Sequence, residues 1–174
     1  MELPIFKLAA DCDRCVFGET AQSIGIPTRH IAGTGHDTAL LIIGDKPGVE
    51  EDAEYAHFVG NAGQILQEVY VEAGELSKYA DVYATNAVRC KPPKDIEPRV
   101  TQYKACRGHL DEDVYELSKR YRRVVILGVG AGAARALRAS SLEDATFAQG
   151  AEVSLGVDER RVLVPAFWTD NPAN

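Results

Sequence analysis

The sequence contains no apolar run approaching the roughly 20 residues that a membrane-spanning helix needs. Its first residues, MELPIFKLAADCD, lack the basic start and long apolar core of a secretion signal. Repeats, low-complexity segments and a recognisable interdomain linker are also missing. Positive charge is in short supply: the net charge is −7, which argues against a surface that binds polyanions everywhere and leaves room for a local basic face. These absences exclude fibrous, disordered and membrane-spanning classes and lead us to expect a soluble, cytoplasmic protein. What is present is ordinary globular composition, 45% apolar and 26% charged over 174 residues, enough for one domain with a substantial core.

Residues 1–38 read as irregular. Ala39 to Ile43 is too apolar to alternate and reads as a strand buried on both faces. From Asn61 to Ala73, the positions Ala62, Ile65, Leu66, Val69 and Ala73 keep helical spacing. DVYATNAV, Asp81 to Val88, is a second strand. After the loop KPPKDIEP, whose Pro98 suits the first turn of a helix, Tyr103, Cys106, Leu110, Val114, Leu117 and Tyr121 share one helical face. Val124 to Leu127 is a third strand, GVGAGAARALRA a short helix and Arg161 to Phe167 a fourth strand. Strands alternating with helices predict parallel pairing through right-handed crossovers.

Four cysteines carry the strongest chemical signal. Cys12 and Cys15 form a Cys-x-x-Cys, Cys90 ends the second strand and Cys106 lies within a helix. A reducing compartment disfavours structural disulfides, and four thiolates make one complete metal or cluster shell. A zinc ribbon uses two tight knuckles, whereas Cys90 and Cys106 lie apart on different elements; that layout suits a larger group such as a [4Fe-4S] cluster. Zinc and ordinary buried thiols remain open on spacing alone.

The stretch GVGAGA formally fits G-x-G-x-x-A at Gly128, Gly130 and Ala133, the dinucleotide fingerprint. That fingerprint belongs to the first βαβ unit, with an acid about twenty residues on at the end of the next strand. Here the strand is the third and the nearest acids, Glu143 and Asp144, fall in a loop-like segment. Close helix-to-sheet packing through small residues is the better reading.

Several motifs in one order carry a resemblance. The segments CDRC, GDKPGVEED, HFVGNAG, TNAVRCKPP and the cysteine of YKACRGHL resemble the Cys-x-x-Cys, G-E-x-P-G-x-x-E-D, P-F-V-G-x-A-G, T-N-x-x-x-C-x-P-P and further Cys of the iron-sulfur (family 4) uracil-DNA glycosylases. The resemblance implies a single domain over residues 1–174, a three-layer α/β/α sandwich around a four-stranded parallel sheet. It also implies a [4Fe-4S] cluster on Cys12, Cys15, Cys90 and Cys106, and a pocket for uracil flipped out of single- or double-stranded DNA. Phe58 matches the family's stacking Phe, which replaces the stacking the base loses. Asn86 matches the uracil-reading Asn, whose amide donates to O4 and accepts from N3–H, a pattern cytosine opposes. Asp45 stands for the family's Glu, to activate water or stabilise the sugar cation. Gly44, Lys46, Pro47 and Gly48 form the substrate-binding turn whose backbone amides approach the ligand.

The departures from the family bear on activity. Asp45 is one methylene shorter than Glu, withdrawing the carboxylate by roughly 1.5 Å, and misplacement of about 1 Å can cost 10²-fold in rate. Tyr55 replaces a Gly and His57 a Pro, which is expected to narrow the pocket rim. The late His-Pro-Ser reads as FWTDNPAN, putting Asn171 where the family has its second catalytic group, and the chain stops before the family's DNA-inserting loop and last helix. Either a longer protein has been cut or the DNA grip has been shed. The alternative to an enzyme is a non-catalytic iron-sulfur domain of the same fold that binds nucleic acid or a protein partner. DNA contact is expected through Arg89, Lys91, Lys94 and Arg99, with Glu50 to Glu54 facing away.

Overall fold

A computed structural model describes residues 6, 11–94, 96–138, 151–157 and 160–169. The sheet grows outward from the most apolar segment. TALLIIG forms β2 (Thr38–Gly44), whose side chains are nearly all buried, as expected of a strand covered on both faces. Parallel neighbours flank it: β3 (Asp81–Asn86), buried throughout, on one side and β4 (Arg123–Val129) on the other. Next to β4 runs β6 (Arg160–Thr169), again parallel.

The four expected strands therefore exist and pair in parallel, but the sheet is not four-stranded. It has six strands in the order β1-β3-β2-β4-β6-β5, and both outer strands, β1 (Arg29–Ala32) and β5 (Ala151–Val157), are antiparallel to their neighbours. β1 falls inside the region read as irregular because RHIA is four residues long and polar at its start, as edge strands commonly are. β5 does alternate, with Ala151, Val153, Leu155 and Val157 separated by Glu152, Ser154 and Gly156, a period-two pattern the sequence reading passed over.

The alternation of β2 sorts the core in two. Ala39, Leu41 and Ile43 face a cluster built with α4 (Val100–Arg120) and α5 (Gly130–Arg138), through Tyr103, Cys106, Leu110, Val114, Leu117, Ala133 and Leu137. Leu40 and Ile42 face Leu66 and Val71 on the opposite side. Those two residues lie in one helical run that starts as α3 (Asn61–Ile65) and continues with wider turns over Leu66–Ala73. The Gly74 N–H, 3.0 Å from the Val69 carbonyl, shows the i→i+5 bonding. Two short helices, α1 (Phe17–Thr20) and α2 (Val49–Glu54), complete the elements used below. Pro98 sits just outside α4, before its capping residue Arg99, and not in its first turn. No helix among the described residues is long and apolar enough to cross a membrane.

Candidate active site

The chain leaves the middle strand β2 toward β3 on one side and reaches β4 on the other. That reversal opens a crevice at the carboxyl ends of the strands, where open α/β sheets bind ligands. Gly44 and Asn86 are register partners at that edge. The ladder runs on past the strands through Ala87 N–H to the Gly44 carbonyl and Val88 N–H to the Asp45 carbonyl, both 2.9 Å. Over this edge lies a cavity of about 290 Å³, lined by Gly44, Asp45, Lys46, Gly48, Glu50, Glu51, Phe58, Gly60, Asn61, Ala62, Asn86 and Val129. It is at the small end of ligand pockets. Six of the expected site residues thus meet in one place. Pro47 is buried in the turn and supports the lining without joining it.

Phe58 is held there in a strained backbone. Its φ of 54° lies in the left-handed region, which costs a bulky residue on the order of 1–3 kcal/mol and survives only where neighbours enforce it. Arg29 Nη2, from the edge strand β1, donates to the Phe58 carbonyl at 3.1 Å. Glu51 supplies the rest: its carboxylate accepts the N–H groups of Gly48 (2.8 Å), Val59 (3.1 Å) and Gly60 (2.9 Å), tying the two glycine turns to each other. Burial lowers the Arg29 pKa, against the raising influence of Glu54 and Glu51.

Asn86 is equally constrained. Its Nδ2 lies 2.9 Å from His57 Nδ1, and His57 Nε2 lies 2.9 Å from the Ile26 carbonyl. A Cβ on Gly44 would collide with Asn86 Oδ1 and stand 2.6 Å from Phe58 Cζ. Only glycine lets the amide oxygen and the ring tip meet over the end of β2.

Asp45 points toward the helices. Tyr103 Oη, on α4, donates to Asp45 Oδ1 at 2.6 Å, and the phenol's pKa is raised by burial and then by that carboxylate. The carboxylate also lies against the first turn of α5, the electropositive end of that helix. A Cβ on Gly132 would overlap Asp45 Oδ1 and come within 2.7 Å of its Cβ. The small residues of GVGAGA therefore admit an acid as well as packing helix on sheet, and no nucleotide fingerprint is needed to explain them.

The four cysteines gather beyond the other end of TNAVRC. Cys90 and Cys106 are 3% and 4% exposed in one core cluster, and Cys15 packs against it. Cys12 Sγ is 3.5 Å from His109 Nε2 on α4, which brings the N-terminal knuckle to the same helix as Cys106. Burial pushes the Cys106 thiol up to about 11; the Arg89 N–H opposes this, and Cys15 and Cys90 add to it. Cys90 is raised by burial, relieved by the Gly25 N–H 3.3 Å from its sulfur, and raised again by Cys12 and Cys15. The thiols thus act on one another electrostatically, and the Gly25 N–H to the Cys90 sulfur is the kind of bond that tunes a thiolate-held cluster. Four thiols are the donor chemistry that such a group needs. Among the described residues, no three His, Cys, Asp or Glu side chains form a group for a single metal ion.

Several expectations are corrected. Tyr55 and His57 do not narrow the rim. His57 is fully buried, and Tyr55 takes φ 54° as the last cap of α2, turning its hydroxyl to the Ile24 carbonyl at 3.1 Å. A glycine in the family at that position agrees with the backbone. Arg89 is 2% exposed and ion-paired with Asp113, so it is a core residue and not a DNA contact. Lys94 and Arg99 are exposed. Glu50 and Glu51 do not face away; they line the cavity. Asn171 lies outside the described residues. Sequence reasoning missed Glu51, Tyr103 and Arg29 as parts of the site. Only Glu51 left a trace, standing three residues after the capping Gly48 as a capping-box acid does.

A mixed α/β sheet with a small cavity at its switch point, lined by one aromatic ring (Phe58), two amides (Asn61 and Asn86) and three carboxylates (Asp45, Glu50 and Glu51), defines a site for a planar hydrogen-bonding ligand. A model of the uracil DNA glycosylase superfamily matches residues 32–173, and the chain belongs to that superfamily. It is 30% identical over 126 residues to a type-4 uracil-DNA glycosylase of Pyrobaculum aerophilum, covering 72% of this chain and 59% of that one. With the type-4 enzyme of Thermotoga maritima the identity is 40% over 83 residues, 47% of this chain and 42% of the relative. With that of Archaeoglobus fulgidus it is 31% over 107 residues, 61% and 50%. The matches span about half the length of these relatives.

Proposed function

We propose that this chain is a uracil-DNA glycosylase-like domain over residues 1–174, with the family's three-layer α/β/α arrangement, that hydrolyses the N-glycosidic bond of uracil flipped out of DNA. The observation that carries the reading is the convergence of Phe58, Asn86 and Asp45 on one cavity of base size in a member of this superfamily. The flipped base stacks on Phe58, and Asn86 pairs with its N3–H and O4. Asp45 faces the sugar, where it orients water or stabilises the developing cation. Gly44, Lys46 and Gly48 shape the turn around the base. Asn171 offers an N–H to O2 as charge builds on the leaving base.

Cys12, Cys15, Cys90 and Cys106 would hold a [4Fe-4S] cluster, which when bound supplies a structural tie between the N-terminal knuckle, the loop after β3 and α4. The relatives' type-4 names and the electrostatic influence of the thiols on one another support this. Free thiols suit the reducing cytoplasm. DNA is reached through the exposed Lys94 and Arg99 with the half-buried Lys91, so binding should fall steeply with salt.

The test is a single-turnover gel assay on uracil-containing oligonucleotides, single- and double-stranded. Slow excision is expected from the wild type, none from Asn86→Ala, and a loss worth roughly 1–3 kcal/mol from Phe58→Ala. Asn171→His should raise the rate, since one well-aimed donor to a developing anion is worth about 10²- to 10³-fold. If wild type and Asn171→His both leave the DNA intact, the glycosylase reading is wrong and a binding domain of the same fold takes its place.

A further inference from the structure

The buried His57 forms a chain of two hydrogen bonds whose direction is fixed. The Ile26 carbonyl can only accept, so Nε2, 2.9 Å away, carries the proton. A neutral ring then leaves a lone pair on Nδ1, and the group 2.9 Å from it must donate. That group is the NH₂ end of Asn86. The Ile26 peptide is itself anchored, its N–H bonded to the Arg89 carbonyl at 3.0 Å. Burial, Arg89 and Arg29 all favour the uncharged ring, against the Ile26 carbonyl, and hold its pKa down to about 3.

We propose that His57 is a positioning residue that fixes which way round the Asn86 amide is presented to the base, and so restricts the pocket to bases carrying a proton at N3. The proposal rests on the reading of the cavity as a uracil site. With NH₂ turned to His57, Oδ1 stands beside Gly44 and the tip of Phe58, both lining the cavity, as an acceptor for N3–H. One N–H of Asn86 is spent on His57 and one remains for O4. Reversing the amide would set Oδ1 against the Nδ1 lone pair, acceptor facing acceptor, and would turn N–H toward N3. That reversed edge is the one cytosine matches, with its acceptor at N3 and donor at position 4. Discrimination between the two bases therefore depends on a residue that does not line the cavity.

Two measurements on the whole chain test this. Side-chain ¹⁵N NMR, with the His57 signals assigned by their loss in His57→Gln, should show Nε2 protonated and Nδ1 unprotonated at neutral pH; a proton on Nδ1 overturns the proposal. In single-turnover assays on matched uracil and cytosine oligonucleotides, His57→Leu should lower the uracil rate and the uracil-to-cytosine ratio each by about tenfold, the scale of one hydrogen bond. His57→Gln, which can accept from Asn86 and donate to Ile26, should keep the ratio. A folded His57→Leu with an unchanged ratio overturns the proposal, as does a Gln variant that loses it. Should the wild type release no base, the glycosylase reading falls, and the NMR result alone upholds or overturns His57 as the group that orients Asn86.

Discussion

Asn86 and Cys90 lie four residues apart on TNAVRC, yet they end in regions built on opposite principles. Around Asn86 the groups that shape the pocket are held by partners. The amide has His57, the Phe58 carbonyl has Arg29, three turn N–H groups have Glu51, and Asp45 has Tyr103. Such a site needs little rearrangement when a ligand arrives, which is what electrostatic preorganisation means. Around Cys90 the groups oppose each other: Cys106 is raised by burial and then by Cys15 and Cys90, and Cys90 by burial and then by Cys12 and Cys15. The first region is complete in itself. In the second, burial and the neighbouring thiols disfavour the thiolate at Cys90 and Cys106.

The sharpest way to break the contrast is to remove a thiol, and here the largest effect is expected. Cys106→Ala leaves three sulfurs and a void in the core cluster that holds Leu110 and Tyr83. If a bound group ties the N-terminal knuckle to α4, the variant should lose both colour and soluble yield, since binding energy of that kind is folding energy. The wild type should be brown, with visible absorbance that dithionite bleaches. A colourless wild type containing one zinc per chain sinks the cluster assignment. Equal soluble yields would mean that the cysteine region, like the pocket, stands without its ligand.

Gly132→Ala probes the other side of the comparison, by disturbing the pocket while sparing the fold. The new methyl falls on the Asp45 carboxylate. Gly132 lies within α5 and outside the positive-φ residues, so the helix itself gains from alanine, by up to about 1 kcal/mol. Displacing Asp45 offsets that gain, so the melting temperature should change little or fall slightly, while single-turnover excision drops by about 10²-fold, the scale of a misplaced catalytic group. An unchanged rate would show that Asp45 is not placed by this contact.

These two probes also mark where the sequence was readable. The central strands were, because apolar runs such as LLII and VVIL have one way to be buried. Six of the cavity residues were too, because Gly44 to Phe58 is one local stretch and Asn86 ends the neighbouring strand. What escaped depends on distant encounters. Arg29 reaches Phe58 only because the short polar strand β1 pairs with β3, and Tyr103 reaches Asp45 from a helix whose pattern marks that tyrosine merely as apolar. Arg89 misled for a related reason: a basic residue in a loop is usually solvated, and its buried partner Asp113 comes from the middle of α4.

A smaller effect is expected from acid. His57 has a folded pKa of about 3 against an ordinary 6.5, so between these values the unfolded chain binds the extra proton and folding loses stability as pH falls. At pH 5 the loss is about 2 kcal/mol, at 1.36 kcal/mol per unit. Denaturant unfolding of wild type and His57→Gln at pH 7 and pH 5 isolates this ring: acid should cost the wild type more, narrowing the gap between the two by that amount. A gap that stays constant would mean that His57 accepts its proton while folded, and the fixed direction of its bond to Asn86 would go with it.

The smallest effect belongs to Tyr103→Phe. The ring is 2% exposed and packs in the α4 cluster, so the substitution keeps the packing and removes one hydroxyl. Asp45 is only half-buried, and water can take the vacated place, so the stability change should stay near 1 kcal/mol. The carboxylate is then freed to leave the position that Tyr103 and Gly132 define. Because the reacting group must sit within hydrogen-bond reach of one water or one sugar carbon, excision should slow, by about tenfold. Single-turnover rates of wild type and Tyr103→Phe on the same uracil-containing oligonucleotide check this. A faster variant would show that the hydroxyl restrains the reaction and that Asp45, unlike Asn86, is not yet where the chemistry wants it.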